Sequence, residues 1–329
     1  MFKSKKEIII AQNEKKYLSF PDIIKSPKAD NRFFLVYREG DDHHPTWSKL
    51  VLLISEDGGD TWDTKHKFPL TIKKDNYVWN CPRLSYVNNV LYIICDQKNS
   101  TFERTSTFKT VFLTSATEGN FFKLKETPLP GMVPDKIIEF KNKLFCANHK
   151  IKSPKNDLIQ LVSWSRDKGE NWYDTNIVAH DPKKQFCEAS VVDMGDYLIA
   201  YLRDNSGHMR HIYTTRTEDG INWSKPSRIE IFGQRVTALR DEKQIIGAYR
   251  DTNVADRHKE DSRVHISVFE HDAETNKINV SNIDPEYVQN QYHFGYTGMA
   301  KKDKDSYLLT YYIKQNEKNP FIKLSFLER

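Results

Sequence analysis

The feature that most constrains the fold is an eight-residue segment, 55–62, whose residue types recur further along the chain. It reads Ser-Glu-Asp-Gly-Gly-Asp-Thr-Trp. Gly58 and Gly59 can adopt the positive φ angles of a tight turn, and the carboxylate of Asp57 can accept hydrogen bonds from the same turn's backbone. Trp62 then places a large apolar ring beside the turn. The segment therefore predicts a hairpin between two strands.

Three further segments repeat this hairpin. Residues 165–172 carry Ser, Asp, Gly and Trp in the same places, and residues 217–223 repeat the pattern with one residue fewer. A more divergent copy at 115–122 keeps the Ser, the Gly and an aromatic residue. Copies separated by about 50 residues, or by multiples of that number, are typical of folds built from radially repeated four-stranded blades. The repeats predict an all-β protein of this architecture.

The repeated motif, S-x-D-x-G-x-T-W, is the Asp box or BNR repeat, and through it the sequence resembles the sialidase superfamily. The resemblance implies a six-bladed β-propeller with four-stranded antiparallel blades. It also implies that the Asp box is structural and lies on the blade rim, away from the pocket.

The length fits this expectation. At about 50 residues per blade, the 329 residues accommodate about six blades, so a single propeller domain spanning 1–329 is expected. A ring of blades must close. The early strand 7–10 is predicted to pair with the last strand, 322–326, because that pairing removes two open sheet edges.

Composition excludes several classes of partner. The net charge of +5 comes from interspersed basic and acidic residues, so nucleic acid is not expected as a partner. The first apolar run is too short for a signal peptide, and no run approaches the roughly 18 residues of a membrane helix, so a cytoplasmic protein without a membrane partner is expected. The oligomeric state stays open. The cysteines lack metal-ligand spacing and are predicted to be buried thiols, with no metal and no other cofactor. They are Cys81, Cys95, Cys146 and Cys187.

Six apolar segments at intervals of blade length each carry one polar residue near their start. The first strand of a propeller blade lines the central channel, so these side chains are expected to converge: Asp22, Arg83, Asp135, Glu188, Arg235 and Tyr296. Neighbouring strands add Arg38, Arg203, Arg250 and Arg263. Clustered guanidinium groups favour an anion, and Arg binds carboxylates in planar bidentate geometry, so the set predicts an anion-binding pocket. The alternative is that each Arg pairs with an Asp or Glu inside the ring.

The resemblance also implies roles for these residues. Sialidases cleave the ketosidic bond of a keto sugar acid with an Arg triad, a Tyr–Glu pair and an Asp acid/base. Tyr296 and Glu188 match the pair; a Tyr nucleophile suits an anomeric carbon bearing a carboxylate, which would repel a carboxylate nucleophile. Arg203 matches the second triad arginine and Arg263 the third, with Arg250 as its competitor.

Blade one departs from the family pattern, and the chain is closer to a divergent branch. Ser19 stands where the family has its first triad arginine, and Arg83 and Arg235 are candidates to replace it. Where the acid/base Asp is expected, the chain has His44 followed by proline, so Asp41 or His44 is the candidate proton donor. Arg38 and Asp22 complete the predicted substrate-binding set.

These observations predict a sialidase-like exo-glycoside hydrolase that removes terminal acidic sugars, such as sialic acid or related 2-keto-3-deoxy sugar acids. Two alternatives stay open. One is a hydrolase or lyase for an acidic polysaccharide such as a uronate, with His and Tyr as acid and base. The other is a carbohydrate-binding propeller without activity. The expected partner in all three is an acidic carbohydrate.

Overall fold

The structure is a computed structural model. It describes residues 1–63, 70–72, 77–99, 109–127, 129, 131–152, 157–206, 210–252, 265–284, 295–314 and 319–329. In these ranges the chain forms β-strands, and no helix that could cross a membrane occurs there.

The described strands number 23. The first twelve are β1 (Lys3–Ala11), β2 (Tyr17–Lys25), β3 (Phe33–Gly40), β4 (Ser48–Ser55), β5 (Leu70–Ile72), β6 (Tyr77–Val87), β7 (Val90–Asn99), β8 (Lys109–Ser115), β9 (Lys123–Glu126), β10 (Ile137–Phe140), β11 (Lys143–Lys152) and β12 (Asp157–Ser165). The others are β13 (Tyr173–Ala179), β14 (Phe186–Asp193), β15 (Leu198–Asp204), β16 (His211–Thr217), β17 (Ser227–Asp241), β18 (Gln244–Asp251), β19 (His265–Asp272), β20 (Lys277–Asp284), β21 (Thr297–Lys301), β22 (Ser306–Ile313) and β23 (Phe321–Glu328).

The described strands group into six antiparallel blades. Strands β2 to β5 form blade 1, β6 to β9 blade 2, and β10 to β13 blade 3. Strand β17 is long enough to be the outer strand of blade 4, after β14 to β16, and then the inner strand of blade 5, before β18 to β20. Blade 6 contains β21 to β23 and takes β1 as its outer strand. Glu7 of β1 lies opposite Ser325 of β23, which confirms the predicted closure of the ring.

The hydrophobic core is divided among the interfaces between neighbouring blades. Along β3, Phe33 and Leu35 pack toward blade 6, whereas Phe34 and Val36 pack toward blade 2. All four side chains are fully buried. Successive side chains of a strand point to opposite faces, so a strand covered on both faces has a continuous apolar sequence. These interfaces hold the blades in place around the channel.

The four repeated segments form the turns between the third and fourth strands of blades 1 to 4. In the first copy, Gly59 N donates to Ser55 Oγ at 2.8 Å and Thr61 N donates to Asp57 Oδ1 at 2.9 Å. Trp62 Nε1 donates to Gly59 O at 3.0 Å. In the other copies the glycine N–H also donates to the first hydroxyl of the motif. The predicted turn chemistry is confirmed.

The first strands of blades 1, 2, 4 and 5 bulge near their starts. In these bulges, and just before the first strand of blade 3, one non-glycine residue has a left-handed backbone, at φ between 46° and 54°. These residues are Phe20, Cys81, Val133, Glu188 and Arg235. In blade 6 the left-handed residue is Gly295, and Tyr296 follows it. A left-handed non-glycine residue costs on the order of 1–3 kcal/mol, so neighbouring groups must hold each bulge in place.

Candidate active site

A ring of titratable side chains lies beside the bulges. In blades 1 to 5 the residue before the left-handed residue pairs with a residue of the second strand. These partners are Arg38, Asp96, His149, Arg203 and Arg250. In blade 6 the corresponding strand ends near Tyr312, whose carbonyl accepts a hydrogen bond from Gly295 N at 2.9 Å. All six side chains are at most 9 % exposed. The fold therefore buries six titratable groups at similar positions around the channel.

Tyr296, Glu188 and Arg203 form a hydrogen-bonded trio at this ring. The Tyr296 hydroxyl donates to Glu188 Oε1 at 2.7 Å, and Arg203 Nη1 donates to Glu188 Oε2 at 2.7 Å. The same Nη1 lies 3.3 Å from the Tyr296 hydroxyl, and Nη2 donates to Asn205 Oδ1 at 2.9 Å. Strands from blades 4 and 6 thus bring together the two residues predicted to act as a pair and one predicted triad arginine.

The charges around Glu188 decide the protonation of the pair. Burial would raise the pKa of Glu188, but the positive charges of Arg203 and Arg235 outweigh it and lower the pKa to about 2. Burial and the negative charge of Glu188 raise the pKa of Tyr296 well above its ordinary value. At neutral pH the pair is therefore a carboxylate that accepts a hydrogen bond from a neutral phenol.

A cavity of about 190 Å³ adjoins this trio. Its described lining consists of His43, Arg203, Asn205, Arg210, Gln234, Arg250, Thr252, Tyr296 and Tyr312. Three of these residues are arginines, and none of the described lining residues is a carboxylate. The Nε groups of Arg203 and Arg210 are buried and have no acceptor among the described residues. The cavity therefore presents positive charge and N–H donors to an anion.

Arg235 and Arg250 flank the ring of Tyr296. Their guanidinium carbons lie 5.8 Å and 6.0 Å from the ring centroid. Arg235 is fully buried, donates to Pro134 O at 3.3 Å and is not among the described lining residues of the cavity. Its positive charge lowers the pKa of Glu188, and its predicted contact with substrate stays a prediction. Gly295 has a φ of 85°, and a Cβ there would lie 3.1 Å from Arg250 Cδ. Glycine at this position lets Arg250 and Tyr296 approach each other.

In blade 1, Arg38 lies behind the cavity rather than on it. Its guanidinium donates to the carbonyl oxygens of Asp42 at 2.9 Å and His43 at 3.1 Å. It also donates to Ser19 Oγ at 3.0 Å and to Asn80 Oδ1 at 2.9 Å. The side chain is 0 % exposed. Arg38 therefore anchors the loop that follows β3, and its predicted contact with substrate stays a prediction.

That loop brings His43 to the cavity, whereas Asp41 and His44 are exposed and are not among its described lining residues. Burial raises the pKa of Asp41, but hydrogen bonds from Thr46 lower it, and the resulting pKa is below the ordinary value for an aspartate. The Nδ1 atom of His43 lies 3.3 Å from the Tyr17 hydroxyl. His43 is therefore better placed than either predicted proton donor.

Asp22 and Arg83 lie two residues beyond the bulges of their strands and bridge blades. Asp22 Oδ2 accepts from Leu84 N of blade 2 at 2.8 Å, and Arg83 Nη1 donates to Thr297 O of blade 6 at 3.0 Å. Asp135 makes an equivalent bridge by accepting from Val191 N at 2.7 Å. Each of the three side chains is at most 5 % exposed. They hold neighbouring blades together, and substrate binding by Asp22 and Arg83 stays a prediction.

Arg263 lies outside the described residues, so its assignment as a triad arginine also stays a prediction. Sequence reasoning missed Arg210, Asn205 and Tyr312 at the cavity. Tyr312 had a detectable signal, because it ends a second strand as Arg38, Arg203 and Arg250 do. Arg210 has no such regularity and is found only from the fold.

The described residues contain no group of His, Cys, Asp or Glu side chains suited to a metal ion. The four cysteines are buried and unpaired with one another, and burial raises the pKa of each thiol. Neutral buried thiols are poor nucleophiles and poor metal ligands.

No protein-family model and no curated protein sequence matches the chain. Solved structures do match it over nearly the whole length. A protein of unknown function from Dyadobacter fermentans is similar with a TM-score of 0.82 at 20 % identity, covering 99 % of each chain.

Two glycosidases are similar at lower identity. An α-L-arabinofuranosidase from Fusarium graminearum matches with a TM-score of 0.70 at 11 % identity, covering 99 % of this chain and 98 % of that one. The intramolecular trans-sialidase from Ruminococcus gnavus matches with a TM-score of 0.68 at 14 % identity, covering 97 % and 96 %. The chain has the propeller fold that sialidases share with GH93 arabinofuranosidases, which confirms the predicted fold class.

Proposed function

We propose that the protein is an exo-acting glycoside hydrolase that removes a terminal acidic sugar, such as a sialic acid or a smaller 2-keto-3-deoxy sugar acid. The observation that supports this most is the hydrogen bond from Tyr296 to Glu188 at the edge of an arginine-lined cavity. The fold is shared with enzymes acting on acidic and on neutral sugars, so it does not choose the substrate. The charge of the cavity favours an acid.

The substrate carboxylate binds to the arginines that face the cavity. Arg203, Arg210 and Arg250 line one small space, and no described carboxylate lines it with them. Guanidinium groups bind carboxylates through paired N–H donors. Arg263 belongs to the same proposal as a further carboxylate ligand.

In the first step, Tyr296 Oη bonds to the anomeric carbon as the bond to the leaving oxygen breaks. The phenolic proton passes to Glu188, and the leaving oxygen takes a proton from a donor at the cavity, for which His43 joins Asp41 and His44 as a candidate. Water then attacks the anomeric carbon as the bond from that carbon to Tyr296 Oη breaks; the water gives one proton back to the donor, and Glu188 returns its proton to the departing Tyr296 Oη. The sum is hydrolysis with one water.

Substrate binding also makes Glu188 a stronger base. Burial raises the pKa of Glu188, but Arg203 and Arg235 outweigh it and lower the pKa to about 2. A carboxylate bound against Arg203 offsets part of that positive charge and raises the pKa of Glu188. The proton acceptor is thus strengthened when the anomeric carbon is in place.

The test is hydrolysis of fluorogenic glycosides of sialic acid, Kdn, Kdo, a uronic acid and a neutral hexose. We expect release from one keto-acid substrate, and a loss of at least about 1,000-fold in Tyr296→Phe and Glu188→Gln. Tyr92→Phe is the matched control, since Tyr92 packs between blades 2 and 3, away from the cavity. Unchanged turnover in Tyr296→Phe would remove the nucleophile assignment.

A second candidate is supported by one observation. Among the described residues, no carboxylic acid lines the cavity to protonate a leaving group, whereas His43 and Tyr296 both do line it. That pair suits a lyase acting on a uronate, with a neutral base and a phenol as acid. Such a reaction would produce the ultraviolet absorbance of an unsaturated uronate. Tight binding of an acidic sugar without any product would instead indicate a binding module.

A further inference from the structure

The bulge that carries Glu188 is held by two side chains of the preceding blade. Glu188 has a φ of 51°, which non-glycine residues rarely adopt. Its N–H points to His149 Nδ1 at 3.4 Å, and the next N–H, of Ala189, donates to Gln160 Oε1 at 3.1 Å. Two consecutive amides of β14 are thus accepted by side chains of blade 3 rather than by the strand ladder.

The two acceptors are themselves fixed. His149 and Gln160 lie directly opposite each other on β11 and β12. Gln160 Nε2 donates to Asn148 O at 2.6 Å, which leaves Oε1 for blade 4. His149 can accept through Nδ1 only when its proton is on Nε2. Burial, the largest effect, lowers the pKa of His149 to about 4, so the imidazole is neutral and keeps this lone pair at neutral pH.

The equivalent position in blade 2 shows what is particular to His149. There both oxygens of Asp96 lie 2.8 Å from the N–H of Val133, the left-handed residue of blade 3. Val133 carries no reactive group, and the acceptor is a carboxyl group whose pKa burial raises to about 8. Where the bulge residue is Glu188, the acceptor is an imidazole. A carboxylate at position 149 would repel the Glu188 charge and disfavour its ionised form.

We propose that His149 is a positioning residue for Glu188. Its neutral ring holds the left-handed backbone that directs the Glu188 carboxylate to Tyr296 and Arg203, and it does so without adding charge. The part of this inference that concerns catalysis rests on the proposed function. The part that concerns how His149 holds Glu188 rests on the described contacts alone.

The expected pH behaviour follows from the groups around Glu188. Arg203 on β15 and Arg235 on β17 lower its pKa, and Tyr296 donates to it. Burial of the carboxylate opposes them. His149 on β11 also lowers the pKa of Glu188 when the imidazole is protonated, below a pH of about 4. The other charged or titratable groups that interact with Glu188 are Arg250, Asp96, Tyr312, Cys187 and Cys81. A negative charge at position 149 therefore moves the Glu188 titration to higher pH, so activity that needs the carboxylate fails earlier as pH falls.

The test compares His149→Asp with His149→Asn. The two variants have nearly the same shape and both offer an oxygen acceptor, so they differ mainly in charge. The Glu188 carboxyl is titrated by isotope-edited NMR, with its signal assigned by its loss in Glu188→Gln. The two carboxyl groups of the Asp variant titrate as a pair, so we expect the Glu188 signal to sense a protonation step at a pH higher by about one unit or more than its single step in the Asn variant. Equal titrations in the two variants would overturn the proposal.

Kinetics then test the link to catalysis. The acid limb of the kcat/KM profile is expected to lie at higher pH in His149→Asp than in His149→Asn, by the same amount. His149→Ala should lower kcat at least about tenfold with little change in KM, and His149→Asn should recover part of it. Full activity in the Ala variant would refute the positioning role. If the wild type hydrolyses nothing but the NMR shift is present, the proposed function fails and the control of Glu188 by residue 149 stands. Circular dichroism checks that each variant folds.

Discussion

Arg38 and Arg203 occupy the same register position in blades 1 and 4, yet their surroundings differ. Arg38 pairs with Ser19 and Arg203 with Cys187, in each case beside the bulge of the first strand. Arg38 is fully buried, and its guanidinium donates to four neutral oxygen acceptors, two of which are loop carbonyls. Arg203 meets a carboxylate and lines the cavity, with its Nε free of any acceptor among the described residues.

The difference teaches that position in the blade and role in the site are set separately. The blade repeat places an arginine beside the channel in both cases. The residue at the bulge then decides the role, because Phe20 in blade 1 covers the guanidinium of Arg38 at 4.7 Å while Glu188 in blade 4 pairs with Arg203. The same substitution at both positions therefore tests the comparison.

Of the variants that test this comparison, Arg203→Lys is expected to have the largest effect on kcat/KM. Lysine keeps the charge beside Glu188 but loses the planar fork that can bind Glu188, Asn205 and a ligand carboxylate together. We expect kcat/KM to fall about 100-fold to 1,000-fold, as for loss of one charge-stabilising donor. Affinity for an acidic sugar, measured by calorimetry, should fall with it, whereas the melting temperature should change little.

In Arg38→Lys we expect the opposite pattern, with a larger loss of stability and a smaller loss of activity. Its ammonium has three donors and cannot reach all four oxygen acceptors of the guanidinium, and a buried acceptor without a donor costs about 1–3 kcal/mol. We expect the free energy of unfolding, from urea denaturation, to fall by about 2 kcal/mol. Activity per folded molecule should fall only about tenfold, through displacement of His43. Limited proteolysis should cut the loop 41–47 more readily.

The two variants together can break the comparison. If Arg38→Lys loses as much ligand affinity as Arg203→Lys while its stability is unchanged, Arg38 contacts the ligand and its role as an anchor is wrong. If Arg38→Lys loses stability but keeps its ligand affinity, Arg38 is an anchor of the loop and only Arg203 contacts the ligand.

Much of the fold was predictable because it depends on local chemistry that recurs. The segment 55–62 and its copies specify turns, and continuous apolar strands such as 33–37 specify blades covered on both faces. Ring closure followed from the need to pair β1. Each of these inferences needs only neighbouring residues or a count of blades.

The site was predictable only in part because bulges shift the register. Glu188 and Arg235 are the left-handed residues of their bulges, whereas Asp22 and Arg83 lie two residues further along. Spacing in sequence makes these four positions look alike. In the structure Glu188 belongs to the trio and Arg235 lowers its pKa, whereas Asp22 and Arg83 bridge neighbouring blades. A bulge adds a residue and interrupts the regular pairing of a strand, and sequence spacing does not reveal where that residue is added.

The smallest effect on ligand affinity is expected for Ser19→Ala; Ser19 stands where the resemblance implies an arginine. Ser19 Oγ accepts from Arg38 Nε at 3.0 Å, and both side chains are fully buried. Removing it leaves a charged donor unpaired, which should cost about 1.5–3 kcal/mol. Ser85→Ala is the matched control, since its buried Oγ accepts from the neutral amide of Ile137 at 2.7 Å, and should cost about 1 kcal/mol. Ligand affinity should be unchanged in both. A loss of affinity in Ser19→Ala alone would mean that blade 1 reaches the ligand through Ser19, and the contrast between Arg38 and Arg203 would then describe two parts of one binding surface.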